Sequence, residues 1–354
     1  MLVRSYMIVP YLIIITVGIV YMTCHGLPYT GSKNKLAEKI VKHFPEADTL
    51  VDVFFGGGAI THCAIVHNKF KNYIANDIIT TPQFFKDCIE GKYSNDLRWI
   101  SAKDFEDSSR DDWFVRLLWS FSNNCNIYLY SRTNAPYKKA MHYAICFDDF
   151  KLLKELYPKY VCDEIKLRLK DTPVESWNER RLIVQHTIKE LVKVCQQNSV
   201  QILGFSLESC SNLCTHLSRL LRLQHLENLN RLDSFGNSIY KLTDDNIKTY
   251  NLDYHKLTDM IPDNSVVYLD PPYKGAFDYS PASHGGSSML NKGLFNTEEF
   301  LDWAYEIGKK HPTFISEYDI NDDRFTLVDE WTKYCTCAGH GVGRHTTEKL
   351  YTIK

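Results

Sequence analysis

The stretch TLVDVFFGGGAITHCAIVH (Thr49–His67) decides the fold. Its opening, TLVDVFF (Thr49–Phe55), is a short apolar, β-favouring run that stops at Gly56-Gly57-Gly58. AITHCAIVH (Ala59–His67) then reads as a helix, and NYIANDI (Asn72–Ile78) as a second strand. Strand, glycine turn, helix and strand make a βαβ unit, and that unit implies a parallel sheet. A glycine turn at that place lets the backbone approach a ligand and offers helix N-terminal N–H groups. The pattern is not G-x-G-x-x-G, and it lacks the Lys-Ser/Thr of a phosphate loop. Taken alone, it is equally a plain structural corner.

Upstream, NKLAEKIVKHF (Asn34–Phe44) spaces its apolar residues as an amphipathic helix, which Pro45 stops. Before it, MIVPYLIIITVGIVYM (Met7–Met22) is apolar almost throughout, with Arg4 in front. Three readings stay open for residues 1–21: a membrane anchor, a cleaved signal, or an upstream start codon misread so that Met22 is the working start. Met22 lies just before the first informative motif, which favours the last. The leader is set aside from the fold.

Downstream, from about Thr80 to Gly236, the pattern turns to long polar–apolar helical stretches. DDWFVRLLWSF (Asp111–Phe121) and ERRLIVQHTIKELVKVC (Glu179–Cys195) are examples. Parallel-strand patterns return only at SVVYLD (Ser265–Asp270) and PTFISEY (Pro312–Tyr318). An α/β domain interrupted by a mostly helical insertion is the expected outline. Within the insertion, Leu217, Leu220, Leu223, Leu226, Leu229 and Leu232 recur every third residue. On a helix that spacing winds around the axis, so core packing on several sides is expected.

The 354 residues can bury one large core or two smaller ones. A chain 44% hydrophobic and 24% charged is globular and not disordered. Its 41 basic and 43 acidic residues leave a formal charge of −2, so nucleic-acid contact would need a local basic surface. The cysteines form no paired C-x-x-C sets, which points to reduced thiols in an intracellular protein and to no metal site.

Asp77, at the tail of the second strand, places a carboxylate where it can accept from both hydroxyls of a ribose. Its plainer reading is a helix N-cap. A ribose acceptor without a phosphate loop suits S-adenosylmethionine, a nucleoside with no phosphate. Further on, SVVYLDPPYKGAF (Ser265–Phe277) runs a strand into Asp270-Pro271-Pro272-Tyr273. Ligands sit at the carboxyl ends of parallel strands, and Asp270 falls at such an end. Successive prolines fix φ and remove two N–H donors, so the turn is rigid with its carbonyls outward. A carboxylate oxygen and an adjacent carbonyl then form two acceptors at fixed spacing, which an exocyclic amine would satisfy. Tyr273 offers a ring face for a planar base.

Together these residues resemble the Dam-type N6-adenine DNA methyltransferases, especially the phage-borne branch, over most of residues 27–354 and in order. PYTGSK (Pro28–Lys33) is similar to the family's N-terminal cofactor motif, which implies that Tyr29 and Lys33 contact S-adenosylmethionine. DVFFGGGA (Asp52–Ala59) resembles motif I and implies cofactor contacts from Asp52, Phe54, Gly56 and Gly58. ANDI (Ala75–Ile78) resembles the ribose-binding motif, with Asp77. LDY (Leu252–Tyr254) resembles the element flanking the cofactor's adenine, through Asp253 and Tyr254. YLDPPYKG resembles the catalytic motif, giving Asp270, Pro271, Pro272 and Tyr273 catalytic roles, with Asp270 also beside the cofactor. GLFNTEEFLDW (Gly293–Trp303) and FISEY (Phe314–Tyr318) follow as in the family. SFSNNCNIYLYS (Ser120–Ser131) with KKAMHYA (Lys138–Ala144) resembles part of the phage branch's target-recognition region.

The resemblance implies an α/β fold, a Rossmann-like S-adenosylmethionine-dependent methyltransferase sheet. Residues 22–80 and 237–354 would form its discontinuous catalytic domain, and residues 81–236 an inserted target-recognition region. The implied activity is methyl transfer from S-adenosylmethionine to N6 of adenine in DNA, by base flipping and direct in-line attack. Arg132, Lys138 and Lys139 flank Tyr128, Tyr130 and Tyr137, a mix suited to phosphate contact and base stacking. A duplex hides N6 in its stack, so the adenine would flip into a pocket beside Tyr273, with the Phe277–Lys292 loop as a candidate lid. The rival readings are the same chemistry on RNA or a protein amide, and a catalytically inactive DNA-binding relative. The expected location is the cytoplasm or the host cell's DNA compartment. Membrane association follows only if residues 1–21 are translated, and a monomer is assumed.

Overall fold

The computed structural model describes residues 25–171, 176–196, 223–238, 246–272, 295–335 and 344–354, together with Thr215, Leu217 and Leu220. The leader, Tyr273 and the Phe277–Lys292 loop lie outside the described residues.

Seven strands form one sheet: β1 (Thr49–Asp52), β2 (Asn72–Asn76), β3 (Ile247–Tyr250), β4 (Ser265–Leu269), β5 (Thr313–Glu317), β6 (Phe325–Cys335) and β7 (Arg344–Ile353). Their order is β3-β2-β1-β4-β5-β7-β6. The first five strands run parallel, and β7 pairs antiparallel with both β5 and β6. The strand order reverses between β1 and β4, the switch point at which such sheets open a ligand crevice.

Four of these strands stand where the sequence places them, with ends trimmed. β1 stops at Asp52 because the chain then leaves the ladder for the turn. The Val53 N–H still donates to the Tyr268 carbonyl (3.1 Å), but the Phe55 N–H donates across to the Asn76 carbonyl (2.9 Å). β1 and β4 are buried along their whole length, which explains apolar runs without alternation. Alternate residues nonetheless serve opposite faces. Leu50, Val266 and Tyr268 join one core with helices α1 (Ala37–Val41) and α2 (Ala59–Val66). Val51, Val267 and Leu269 join another with Tyr254, Phe300 and Trp303.

Between β2 and β3 the described elements are helical, beginning with α3 (Thr81–Ile89) and ending with Gln224–Ser238. Among the described residues these helices share one buried cluster with a face of the sheet. Phe85 of α3 packs edge-on to Phe55 of the glycine turn (4.9 Å) and to Phe235 (4.6 Å), so the buried cluster runs from the sheet into them. The leucines from Leu217 to Leu232 that recur every third residue are all buried, but Leu223 stands outside a helix, and only Leu226, Leu229 and Leu232 lie on Gln224–Ser238. No helix among the described residues is long and apolar enough to cross a membrane.

Candidate active site at the carboxyl ends of the parallel strands

Register brings three carboxylates together. Asp52 pairs with Ala75 of β2 and with Tyr268 of β4. Asp77 and Asp270 each follow those partners by two residues, so all three acids lie at the carboxyl ends of adjacent strands around the switch point. Asp52 is buried and accepts from Thr61 Oγ1 at 2.7 Å, while its Oδ1 has no partner among the described residues. Burial, with the charges of Asp270 and Asp77 added, pushes its carboxyl up to about 7 against the opposing Thr61 hydrogen bond.

Asp77 accepts from the Gly56 N–H (2.7 Å) and the Ile79 N–H (3.3 Å). It is not a helix cap, since Thr80 occupies the N-cap position of α3. Burial lifts its carboxyl to about 6, although three backbone N–H groups work the other way. Next to it, the buried Asn76 donates to the carbonyls of Val53 and Leu252 and accepts from the Leu252 N–H, each at 3.0 Å. That amide clamps the 251–253 loop to the end of β1. The sequence shows Asn76 only as the residue before Asp77, and a strand-end asparagine carries no signal of this clamp.

The glycines are required by close neighbours. Gly58 has φ +67°, and a Cβ there would run into the Phe55 ring. A Cβ on Gly57 would stand 2.6 Å from Cβ of Tyr29. Tyr29 lies there because the preceding segment is bonded down: the Leu27 N–H donates to the Gly57 carbonyl (2.8 Å), and the Gly26 N–H to His62 Nδ1 (3.1 Å). His62 can accept because burial, then the neighbouring His25, push its imidazole down to about 3.

The same segment delivers Lys33. Its Nζ lies 2.8 Å from Asp270 Oδ2 and 2.9 Å from Glu348 Oε1. Burial alone would lower this ammonium's pKa; the two carboxylates more than offset that and hold it above the usual lysine value. Asp270 is 19% exposed, whereas Glu348, in β7, is 0% exposed. Pro271 is buried and Pro272 exposed. Sequence reasoning missed Glu348, since a glutamate in TTEKLYTI reads as a solvated strand residue.

Two other expected cofactor residues are engaged locally. Tyr254 is buried against Trp303 (5.0 Å) and Phe54 (5.6 Å), and Phe54 also meets Phe300 edge-on. Asp253 caps the turn Tyr254–Met260 through the His255 N–H (3.0 Å) and contacts His255 Nδ1 (2.8 Å). The expected DNA contacts divide. Tyr128 donates its hydroxyl to the Ile100 carbonyl (2.7 Å), Tyr130 bonds His225 Nδ1 (2.6 Å), and Lys138 is buried with Nζ over the Tyr130 ring. These three are turned into the helical core, where His225 in turn meets His142 (2.9 Å) and stacks on Trp119. Tyr128 and Tyr130 are half-buried and Lys138 is buried, so their polar tips are engaged within the protein while neither tyrosine is fully covered. Arg132 is exposed, and Lys139 is half-buried with Nζ over Tyr143.

Among the described residues the crevice therefore brings together four carboxylates (Asp52, Asp77, Asp270, Glu348) and the Lys33 ammonium. Such a site repels nucleotide phosphates and suits a cofactor that is itself cationic and carries a ribose. S-adenosylmethionine, with a sulfonium and an ammonium, fits this charge and leaves work for the unpartnered Asp52 Oδ1. Residues 29–177 match the family model of the D12 class N6 adenine-specific DNA methyltransferases. The match indicates an S-adenosylmethionine-dependent DNA adenine methyltransferase. No curated protein matches the chain. The matched span holds Tyr29, Lys33, Asp52, the glycine turn and Asp77, but not Asp270. The sheet supplies that last residue just after β4, and the Lys33–Asp270 ion pair joins it to the matched region.

Proposed function

We propose that this chain methylates N6 of an adenine flipped out of duplex DNA, with Asp270 and the Pro271 carbonyl receiving the target amine. The supporting observation is the Lys33–Asp270 ion pair, which fixes an acceptor at the carboxyl end of β4 near Asp52 of β1. Bound S-adenosylmethionine supplies an electrophilic methyl group. Asp77 accepts from its ribose hydroxyls, Asp52 and the glycine turn line the amino-acid end, and Tyr29 packs over that turn. Lys33 pairs with one carboxylate oxygen of Asp270, and the target amine would approach that same carboxylate. Pro271 has no N–H of its own, so its carbonyl is a fixed second acceptor. Positioning and exclusion of water carry the rate, with no nucleophilic side chain required. Tyr273 would stack on the flipped base, and the Phe277–Lys292 segment would cover it; both belong to the proposal alone. Residues 81–236 would read the target, with Arg132 and Lys139 on phosphates, as their likeness to the phage branch suggests.

The test is a labelled-methyl assay on DNA, RNA and protein with product analysis. N6-methyladenine in DNA is expected. Label confined to RNA or protein would overturn the reading.

A further inference from the structure

Glu348 has no part in the chemistry above, yet it reaches the site fully buried from a strand two places away from β4. Its Oε1 and Asp270 Oδ2 grip the same Lys33 ammonium at 2.9 and 2.8 Å. A lysine paired with Asp270 alone would neutralise the carboxylate that must hold the target amine. With two carboxylates on one ammonium, the trio keeps a net charge of −1. We propose that Glu348 is a positioning residue for methyl transfer: it shares Lys33 with Asp270, so that Asp270 retains acceptor charge for N6. This rests on the functional reading above.

The charge matters at one moment. N6 gains the methyl carbon, the sulfonium carbon–sulfur bond breaks to a neutral thioether, and N6 then gives one proton to water. Positive charge thus builds on N6 beside Asp270, where a fixed negative group is worth most in a water-poor crevice. Among the described residues, Asp52 from β1, Asp77 after β2 and the Tyr268 hydroxyl, which is bonded to Ser316 at 2.7 Å, also face Asp270. Of these, the Tyr268 hydroxyl also feels the Glu348 charge, which adds to burial and to Asp270 in raising its pKa, whereas Asp52 and Asp77 feel the charge of Asp270.

The experiment compares Glu348→Gln and Glu348→Asp with wild type: kcat against pH at saturating cofactor, binding of S-adenosylhomocysteine, and thermal melts. Glu348→Gln is expected to lower kcat about tenfold and to move its acid limb down by about one pH unit, because an uncompensated Lys33 favours the ionised Asp270. S-adenosylhomocysteine, which carries no sulfonium, should bind both proteins within about twofold. Glu348→Asp, which keeps the charge, should leave the acid limb in place. An unmoved kcat and acid limb in Glu348→Gln would overturn the proposal, as would equal shifts in both variants. Loss of fold in both would make Glu348 structural only and overturn it too. If wild type puts no methyl group on adenine, the functional reading itself falls, and this proposal with it.

Discussion

The Gly56 N–H donates to Asp77 Oδ2 at 2.7 Å, so the acid after β2 holds the turn after β1. One carboxylate thereby shapes the glycine turn and still has oxygen lone pairs left to accept ribose hydroxyls. Asp77→Ala should weaken S-adenosylhomocysteine binding by roughly 10- to 100-fold, the worth of hydrogen bonds to a charged group. Calorimetric titration measures it. An affinity within twofold of wild type would remove Asp77 from the cofactor site.

Asp52 is buried with its carboxyl raised to about 7, so its charged form costs stability at neutral pH. In the unfolded chain it titrates near the ordinary aspartate value. Its contribution is therefore favourable below about pH 4 and is lost as pH rises through 7. Asp52→Asn keeps an acceptor for Thr61 without the charge. It should raise the melting temperature at pH 8 by several degrees, with the gain shrinking on acidification and gone near pH 4. A variant less stable than wild type at pH 8 would contradict this.

Asn76 makes three hydrogen bonds from a fully buried position. Asn76→Ala should cost about 2–4 kcal/mol in denaturant unfolding, because two carbonyls and one N–H lose their partner. The freed 251–253 loop should also raise KM for the cofactor. A loss under about 0.5 kcal/mol would mean that water replaces the amide without penalty.

Arg132 and Tyr130 lie two residues apart with opposite surroundings. Arg132→Ala should weaken DNA binding for all sequences alike and reduce the salt slope by about one. Tyr130→Phe should leave DNA affinity unchanged but destabilise the protein by about 1–3 kcal/mol, since His225 Nδ1 loses its partner. Filter binding across salt concentrations and urea melts separate the two. A Tyr130→Phe protein that melts normally but binds DNA poorly would place that hydroxyl at the interface after all.

The central βαβ unit was legible because its strands are buried on both faces and its glycines stand between them. Asp77 and Asp270 were legible for the same reason, as polar residues ending apolar runs. β3 was not, being a four-residue edge strand, IKTY, with mixed exposure. β6 was hidden by a register shift between Leu327 and Asp329, which breaks its two-residue alternation. Tyr128, Tyr130 and Lys138 read as surface residues because composition cannot show that His225, far along the chain, waits for one of them. Glu348 was illegible for a related reason: its partner Lys33 lies near the opposite end of the sequence.

The central claim is that Asp270 receives the target amine, and the direct measurement is single-turnover methyl transfer to adenine in DNA by wild type and Asp270→Ala. Cofactor occupancy is verified in both by S-adenosylhomocysteine binding. Wild type should form N6-methyladenine, and Asp270→Ala should lose at least about 1,000-fold in rate while still binding S-adenosylhomocysteine. A cofactor-loaded Asp270→Ala protein that methylates adenine at the wild-type rate would contradict the account.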